Sequence, residues 1–363
     1  MEIWQHAAGD GDRSFADLCI RNNVILLGPS NIGRWGPNAR EKYLEHGIKP
    51  RTCTILDRFC TQMSSGDLVV LREGTSTVRA VGRIVGDYEY IDAFLDVDGW
   101  DVAHARRVHW VAQEQMPRHF PTYTMKLGDT TQILPTGEKA HELRAWIKNL
   151  FETYDEDKQP EFTQFDDSKS LDIADCAALL FECGLSATSA TSLTDRITDL
   201  TKLAQWYRTK TEAISEAETL GQLVLPLFVA LGWSPQTLAM EWSISGIGRI
   251  DLAAFRPFRQ SVRNQDDIVL VLEAKRFNRS CLVGVEQARS YASALPNAER
   301  LVVTDGLRYA VFIRDETGTF PESPHAYLNL AQPKDHYAAL DCLGADEALL
   351  ALSAAWRPGL LTR

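Results

Sequence analysis

Residues 266–280 read DDIVLVLEAKRFNRS, and the five apolar residues 268–272 followed at once by Glu273 constrain this chain more than any other stretch. The run is β-branched, too short for a buried helix, and free of polar alternation, so it predicts a strand covered on both faces. A strand made for an interior then ends in an acid and a lysine two residues apart. Alternate strand residues share a face, so Glu273 and Lys275 project together while Ala274 points away. The preceding apolar segment, GRIDLAAF, predicts a second strand over 249–255 carrying Asp251. If the two strands are neighbours, Asp251 and Glu273 converge on one point. Two such carboxylates suit Mg2+, with Mn2+ as a substitute, because hard oxygen donors leave coordination positions open for water and phosphate. A lysine beside them orients or deprotonates an attacking water and offsets charge on a phosphate. The competing reading of an E-x-K pair is an exposed ion pair worth at most about 1 kcal/mol.

The organisation around this strand predicts three segments: 1–150, 151–210 and 211–363. The first holds short β-like runs at 24–27, 67–71, 78–85 and 107–111, closed by a helix over 138–151. The second starts with the acidic, aliphatic-poor stretch 152–170, a linker by composition, and continues as a helical connector with apolar residues at helical spacing. The third runs helix 212–231, strands 249–255 and 268–274, helix 283–294, then strands 300–304 and 309–314. That order indicates an α/β layer with a central mixed sheet.

Taken together, Asp251, the E-A-K of 273–275 and the helix EAETLGQLVLPLFVALGW resemble the PD-(D/E)XK nuclease superfamily, in the variety found in the nuclease domain of type I restriction R subunits. The resemblance spans about 212–314. It implies catalytic roles for Asp251, Glu273 and Lys275, with Asp251 and Glu273 as metal ligands and Glu218 as an additional acid. The later EQARSYA supplies Gln287 and Tyr291 four residues apart on one helical face, matching the Q-x-x-x-Y element of that group. The resemblance implies a catalytic role for Gln287, beside the catalytic strand, and DNA contact by Tyr291; Arg276, next after Lys275, is a further DNA-binding candidate. Ile250 stands where the family usually has proline.

The N-terminal stretch SSGDLVVLREGTSTVRAVGRIVGDYEY, followed by HARRVHW, resembles the EVE/YTH/PUA-like small β-barrels fused to modification-dependent restriction enzymes. That resemblance implies a pocket taking a flipped, modified base between aromatic rings. Extruding a base costs a few kcal/mol, and stacking returns about 1–3 kcal/mol per contact. Candidate walls are Trp35, Tyr88, Tyr90 and Trp100, with Ser30 and Asn31 for the base edge and Arg34 for DNA. Trp4 and Trp110 read as barrel core, and Arg72, Arg79, Arg83, Arg106 and Arg107 as possible phosphate contacts.

Several classes are set aside. Glycines in GPSNIGRW are spaced as in a phosphate-binding loop, but Arg34 and Trp35 replace its Lys and Ser/Thr, which argues against nucleoside triphosphates. The opening MEIWQHAAGD lacks a signal-peptide pattern and no apolar run spans a bilayer, so a cytoplasmic protein without membrane contact is expected. Seven scattered cysteines predict packed thiols. The net charge of −11 opposes nucleic acid in general, yet more than half of it sits in 151–210, which carries 6 Lys and Arg against 12 Asp and Glu. The expectation is a modification-dependent, type IV-like Mg2+ endonuclease on double-stranded modified DNA, homodimeric because two strands need two sites. Its rivals are a non-catalytic reader with a degenerate nuclease fold and an RNase on modified RNA.

Overall fold

Each half of the chain builds its own mixed sheet. The computed structural model describes residues 1–9, 13–111, 116–152, 162–256 and 263–360, which form two compact α+β units, Met1–Asp166 and Asp167–Arg363.

The N-terminal unit runs β1 (Ile3–Ala7), α1 (Ala16–Arg21), β2 (Val24–Leu27), α2 (Ala39–Glu45), α3 (Pro50–Asp57), β3 (Leu68–Glu73), β4 (Thr77–Tyr90), β5 (His104–Val111), β6 (Arg118–His119), β7 (Thr131–Ile133) and α4 (His141–Glu152). Its sheet has the order β2-β5-β4-β3-β1-β7, with β6 on β4 and one parallel pair, β1 with β3. Asp67 ties that pair together: Oδ2 accepts from Trp4 Nε1 (2.9 Å) and Oδ1 from the Glu2 amide (2.8 Å). On one face, Leu143 and Ile147 of α4 pack against Ile3, Leu68 and Val70.

The expected closed β-barrel is not what forms. Among the described residues β2 and β7 are the ends of the sheet and do not pair with each other. Closure depends on strand tilt and stagger bringing two edges together. Local alternation records which face a residue takes and says nothing about that, and the two edge strands are only four and three residues long.

The C-terminal unit runs α5 (Ile173–Glu182), α6 (Ala187–Arg208), α7 (Glu216–Thr219), a π turn (Leu220–Val224), α8 (Leu225–Ala230), β8 (Leu238–Ile244), β9 (Gly248–Phe255), β10 (Ile268–Ala274), α9 (Val285–Ser293), β11 (Arg300–Thr304), β12 (Arg308–Ile313), β13 (Ala326–Asn329), β14 (His336–Tyr337), β15 (Cys342–Leu343) and α10 (Ala345–Leu352). The strand order is β14-β15-β13-β12-β11-β10-β9-β8. β10 pairs antiparallel with β9 and parallel with β11, the crossover being α9. The sheet is therefore mixed, as the element order predicts.

Two expectations change. Residues 171–210 are no separate connector: Leu180, Leu193, Ile197, Leu200 and Ala204 are buried in one core with Leu223, Leu227, Leu252, Leu270 and Leu272. The linker expected over 152–170 is described only in part, since 153–161 lie outside the described residues. The helix expected over 212–231 begins later, at Glu216, capped by Ser215, whose side chain accepts from the Glu218 amide. It then widens into the π turn before Pro226, which has no N–H for the Gln222 carbonyl and whose ring crowds it.

Because α5 and α6 supply part of this core, a fragment of 211–363 should fail to give a cooperative thermal transition while 167–363 gives one. In the full chain, Leu193→Ala, at a fully buried position, should cost about 2–5 kcal/mol in denaturant unfolding; a loss below about 1 kcal/mol would argue that α6 is peripheral.

Candidate active site

The end of β10 meets the start of β9. The register pairs Leu272 with Leu252 in antiparallel fashion, so the next residues, Glu273 and Asp251, lie side by side on one face. Their neighbours Leu252, Leu272 and Ala274 face the apolar core. Asp251 Oδ2 accepts from the Ala274 amide at 2.8 Å. Glu273 is only 3 % exposed. Its Oε1 accepts from Lys275 Nζ at 2.8 Å, whereas Oε2 is buried with no hydrogen-bond partner.

Helix α9 closes over this pair. Gln287 Oε1 accepts from Lys275 Nζ at 3.3 Å, and Gln287 Nε2 donates to the Tyr291 hydroxyl at 3.1 Å. The Tyr291 ring lies against the backbone of Gly248, where a Cβ would stand 2.9 Å from the ring. Gly284, at the start of the helix, is a position the sequence reading missed. A Cβ there would sit 2.8 Å from Lys275 Cε and 3.2 Å from Glu273 Cγ, so any other residue would push the lysine side chain out of its place beside Glu273.

Electrostatics follow from this packing. Burial raises the pKa values of both Glu273 and Asp251, and the Lys275 charge draws both back down. The mutual repulsion of the two acids and the charge of Glu216 push Glu273 further up; Glu216 and Glu241 do the same to Asp251. Of the two acids in α7, the one whose field reaches the pair is therefore Glu216. Glu218, the acid implied by the resemblance, accepts instead from the Tyr207 hydroxyl at 3.0 Å. The helix is anchored by Thr219, fully buried, which accepts from the Phe277 amide at 3.0 Å just beyond the lysine. Arg276 is exposed.

Two carboxylates at adjacent strand ends, one with a buried unpartnered oxygen, fit a divalent cation by donor chemistry. Among the described residues no group of three or more His, Cys, Asp or Glu is placed to hold a metal, so water or substrate oxygens would complete the coordination.

The aromatic candidates of the N-terminal unit gather around His104. Its Nε2 faces the Pro29 carbonyl at 3.1 Å, which only accepts, so Nε2 carries the proton and Nδ1 accepts from the Tyr88 hydroxyl at 2.7 Å. Tyr88 in turn accepts from the Trp35 amide at 3.0 Å, and Tyr90 donates to the Ser30 carbonyl at 2.7 Å. Trp35 and Ser30 are buried, Trp35 edge-on to Tyr43 and Ser30 Oγ accepting from the Ala103 amide, so neither presents a surface to a ligand. Tyr88 and Tyr90 are half-buried, Asn31 and Arg34 exposed, and the Arg34 guanidinium lies 5.2 Å from the centre of the Tyr88 ring. Trp100 belongs to a different contact set, packed edge-on to Phe15 under Arg13. The glycine-spaced loop commits the amides of Ser30 and Asn31 to the Asp101 carboxylate, leaving them no donor for a phosphate. Arg72, Arg106 and Arg107 are buried, donating to backbone carbonyls or to Glu89 rather than facing a nucleic acid.

A family model described as a domain of unknown function (DUF8426) matches residues 4–131, within the N-terminal unit. No curated protein matches this chain.

Gly284→Ala should cost about 1–3 kcal/mol in denaturant unfolding by driving the lysine and glutamate apart; an unchanged midpoint would mean the helix is not held at this distance. Burial lowers the His104 pKa from 6.5 to about 4. The unfolded chain then takes up a proton first as pH falls, so the stability due to neutral His104 is complete above 6.5 and lost towards 4, on the order of 2–3 kcal/mol. His104→Gln should flatten the slope of unfolding free energy between pH 7 and 4.5; the same slope as wild type would contradict this.

Proposed function

We propose that this chain is a divalent-metal-dependent nuclease that cuts DNA carrying modified bases, with the C-terminal unit hydrolysing the phosphodiester and the N-terminal unit selecting the base. In this reading the C-terminal unit is a PD-(D/E)XK-like domain and the N-terminal unit an open relative of the EVE/YTH/PUA-like readers. The observation that carries the proposal is the pairing of Asp251 with a buried Glu273 whose Oε2 has no partner. A buried acceptor left unpaired costs about 1–3 kcal/mol, more when ionised, unless something binds it.

Asp251 and Glu273 would hold Mg2+ or Mn2+. When bound, the ion supplies Lewis-acid polarisation of the phosphate and a more acidic bound water. Lys275, fixed between Glu273 and Gln287, presents its ammonium to the attacking water and to the oxygen that gains charge. Glu216 adds negative potential at the carboxylate pair, which would favour a cation there. Tyr291 and Arg276 face the phosphate backbone. On the N-terminal unit the exposed parts of Tyr88 and Tyr90, with Arg34 and Asn31, offer stacking and hydrogen bonds to an extruded base. Two protomers acting together would cut both strands, in the cytoplasm where incoming foreign DNA is met.

A second reading, a reader without catalysis, draws support from Lys275 already occupying Glu273 Oε1 and from the acidic net charge. One digest separates them: phage or plasmid DNA bearing methyl-, hydroxymethyl- or glucosylated cytosines, against unmodified DNA, with Mg2+ or EDTA. Cleavage should require metal and modification and should fall about 100-fold or more in Asp251→Asn, Glu273→Gln and Lys275→Ala. Undiminished cleavage by Glu273→Gln would remove the assignment, and specific binding without cleavage would favour the reader.

A further inference from the structure

Apart from the carboxylate pair, the C-terminal unit has a cavity at the other end of the same strands. It measures about 590 Å3 and is lined by Trp233, Phe255, Arg256, Arg300, Trp356 and Arg357, among others. Val269 lies at this cavity and Glu273 at the candidate active site; four residues along β10 correspond to about 13 Å. The two sites are separate places on one sheet.

Among the described residues the cavity lining carries more positive than negative charge, in an acidic protein. Three guanidiniums, Arg256, Arg300 and Arg357, stand against the carboxylate of Glu299, which pairs with Arg256 at 2.6 Å. Arg357, exposed, donates to the carbonyls of Ala354 and Trp356. Arg300 is 3 % exposed and donates through Nη1 to the carbonyls of Ala351 and Ser353, with Nε buried and unpartnered. Its guanidinium is held between two indoles, 5.4 Å from the Trp233 ring centre and 4.6 Å from that of Trp356. A buried cation is costly unless its charge is met. Burial lowers the Arg300 pKa to about 9 against the opposing charge of Glu299, with Arg357 and Arg256 adding to the shift. One carboxylate against three guanidiniums leaves room for a further anion.

We propose that this cavity binds a nucleobase carrying a phosphate, the phosphate meeting the exposed Arg256 and Arg357 and the base filling the space beside Trp233 and Trp356. Guanidiniums match phosphate oxygens in a fork, and a largely apolar cavity wall shelters the flat body of a base. The volume is in the range of small-ligand sites. A free nucleotide and the end of a nucleic-acid strand share this chemistry. The assignment stands independently of the nuclease reading, because none of these residues touches the carboxylate pair.

The test is calorimetric titration of the full chain in EDTA with AMP and CMP, with a six-nucleotide single-stranded DNA bearing a 5′-phosphate, and with inorganic phosphate. Saturable binding of nucleotide or oligonucleotide is expected, weakened at least 10-fold in Arg256→Glu/Arg357→Glu, two exposed positions, and unchanged in Glu273→Gln. Tighter binding of the oligonucleotide identifies a strand end, and tighter binding of the mononucleotide a free nucleotide. No saturation by either, full affinity in the double variant, or phosphate alone binding as tightly as AMP would overturn the proposal. Loss of binding in Glu273→Gln would place the ligand at the other site and overturn it equally.

Discussion

A carboxylate buried at the end of an apolar strand governs the C-terminal unit. Glu273 sits where water is excluded, next to a second acid on the adjoining strand. Taking one carboxylate into that environment is unfavourable, and taking two is more so. The packing offsets this only in part. Lys275 satisfies one oxygen, the Ala274 amide satisfies one oxygen of Asp251, and the second oxygen of Glu273 stays unpartnered. The folded chain thus holds an unmet electrostatic demand at one place, which a proton on the raised carboxylates or a bound cation would meet.

The surroundings keep that demand from relaxing. The parallel pairing of β10 with β11 forces a crossover, and the crossover helix α9 comes down directly over the acids. Gly284 lets it descend, Gln287 steadies the lysine, and Tyr291 braces against the bare backbone of Gly248. Behind the sheet, the buried faces of α5 and α6 share a core with Leu270 and Leu272. Side chains locked by packing are what hold a reactive constellation within a fraction of an ångström.

Much of this was legible in the residues, for stated reasons. An unbroken apolar run has one economical fate, a strand covered on both faces, and β10 has the boundaries its letters indicate. Helix α9 and strand β11 likewise follow from spacing alone. The choice between Glu216 and Glu218 did not follow, because acids two apart on a helix point in nearly opposite directions and the phase depends on where Ser215 caps it. The fate of 171–210 was hidden for another reason: an amphipathic helix has the same pattern whether it links domains or completes a core. In the N-terminal unit the apolar runs located β2 to β5, the edge strand β2 included, but not β1 or β7 or whether the sheet closes, and a tryptophan that packs has the same letter as one that waits for a ligand. Trp35 and Ser30 prove to be interior, while Tyr88 and Tyr90 keep partly exposed faces.

The most direct measurement of the central claim is Mn2+ binding followed by electron paramagnetic resonance in the absence of nucleic acid. The account predicts one specifically bound ion per chain in the wild type, displaced by excess Mg2+, and no such ion in Glu273→Gln or Asp251→Asn proteins that remain folded. Equal Mn2+ binding by wild type and both variants, or none by the wild type, would contradict it.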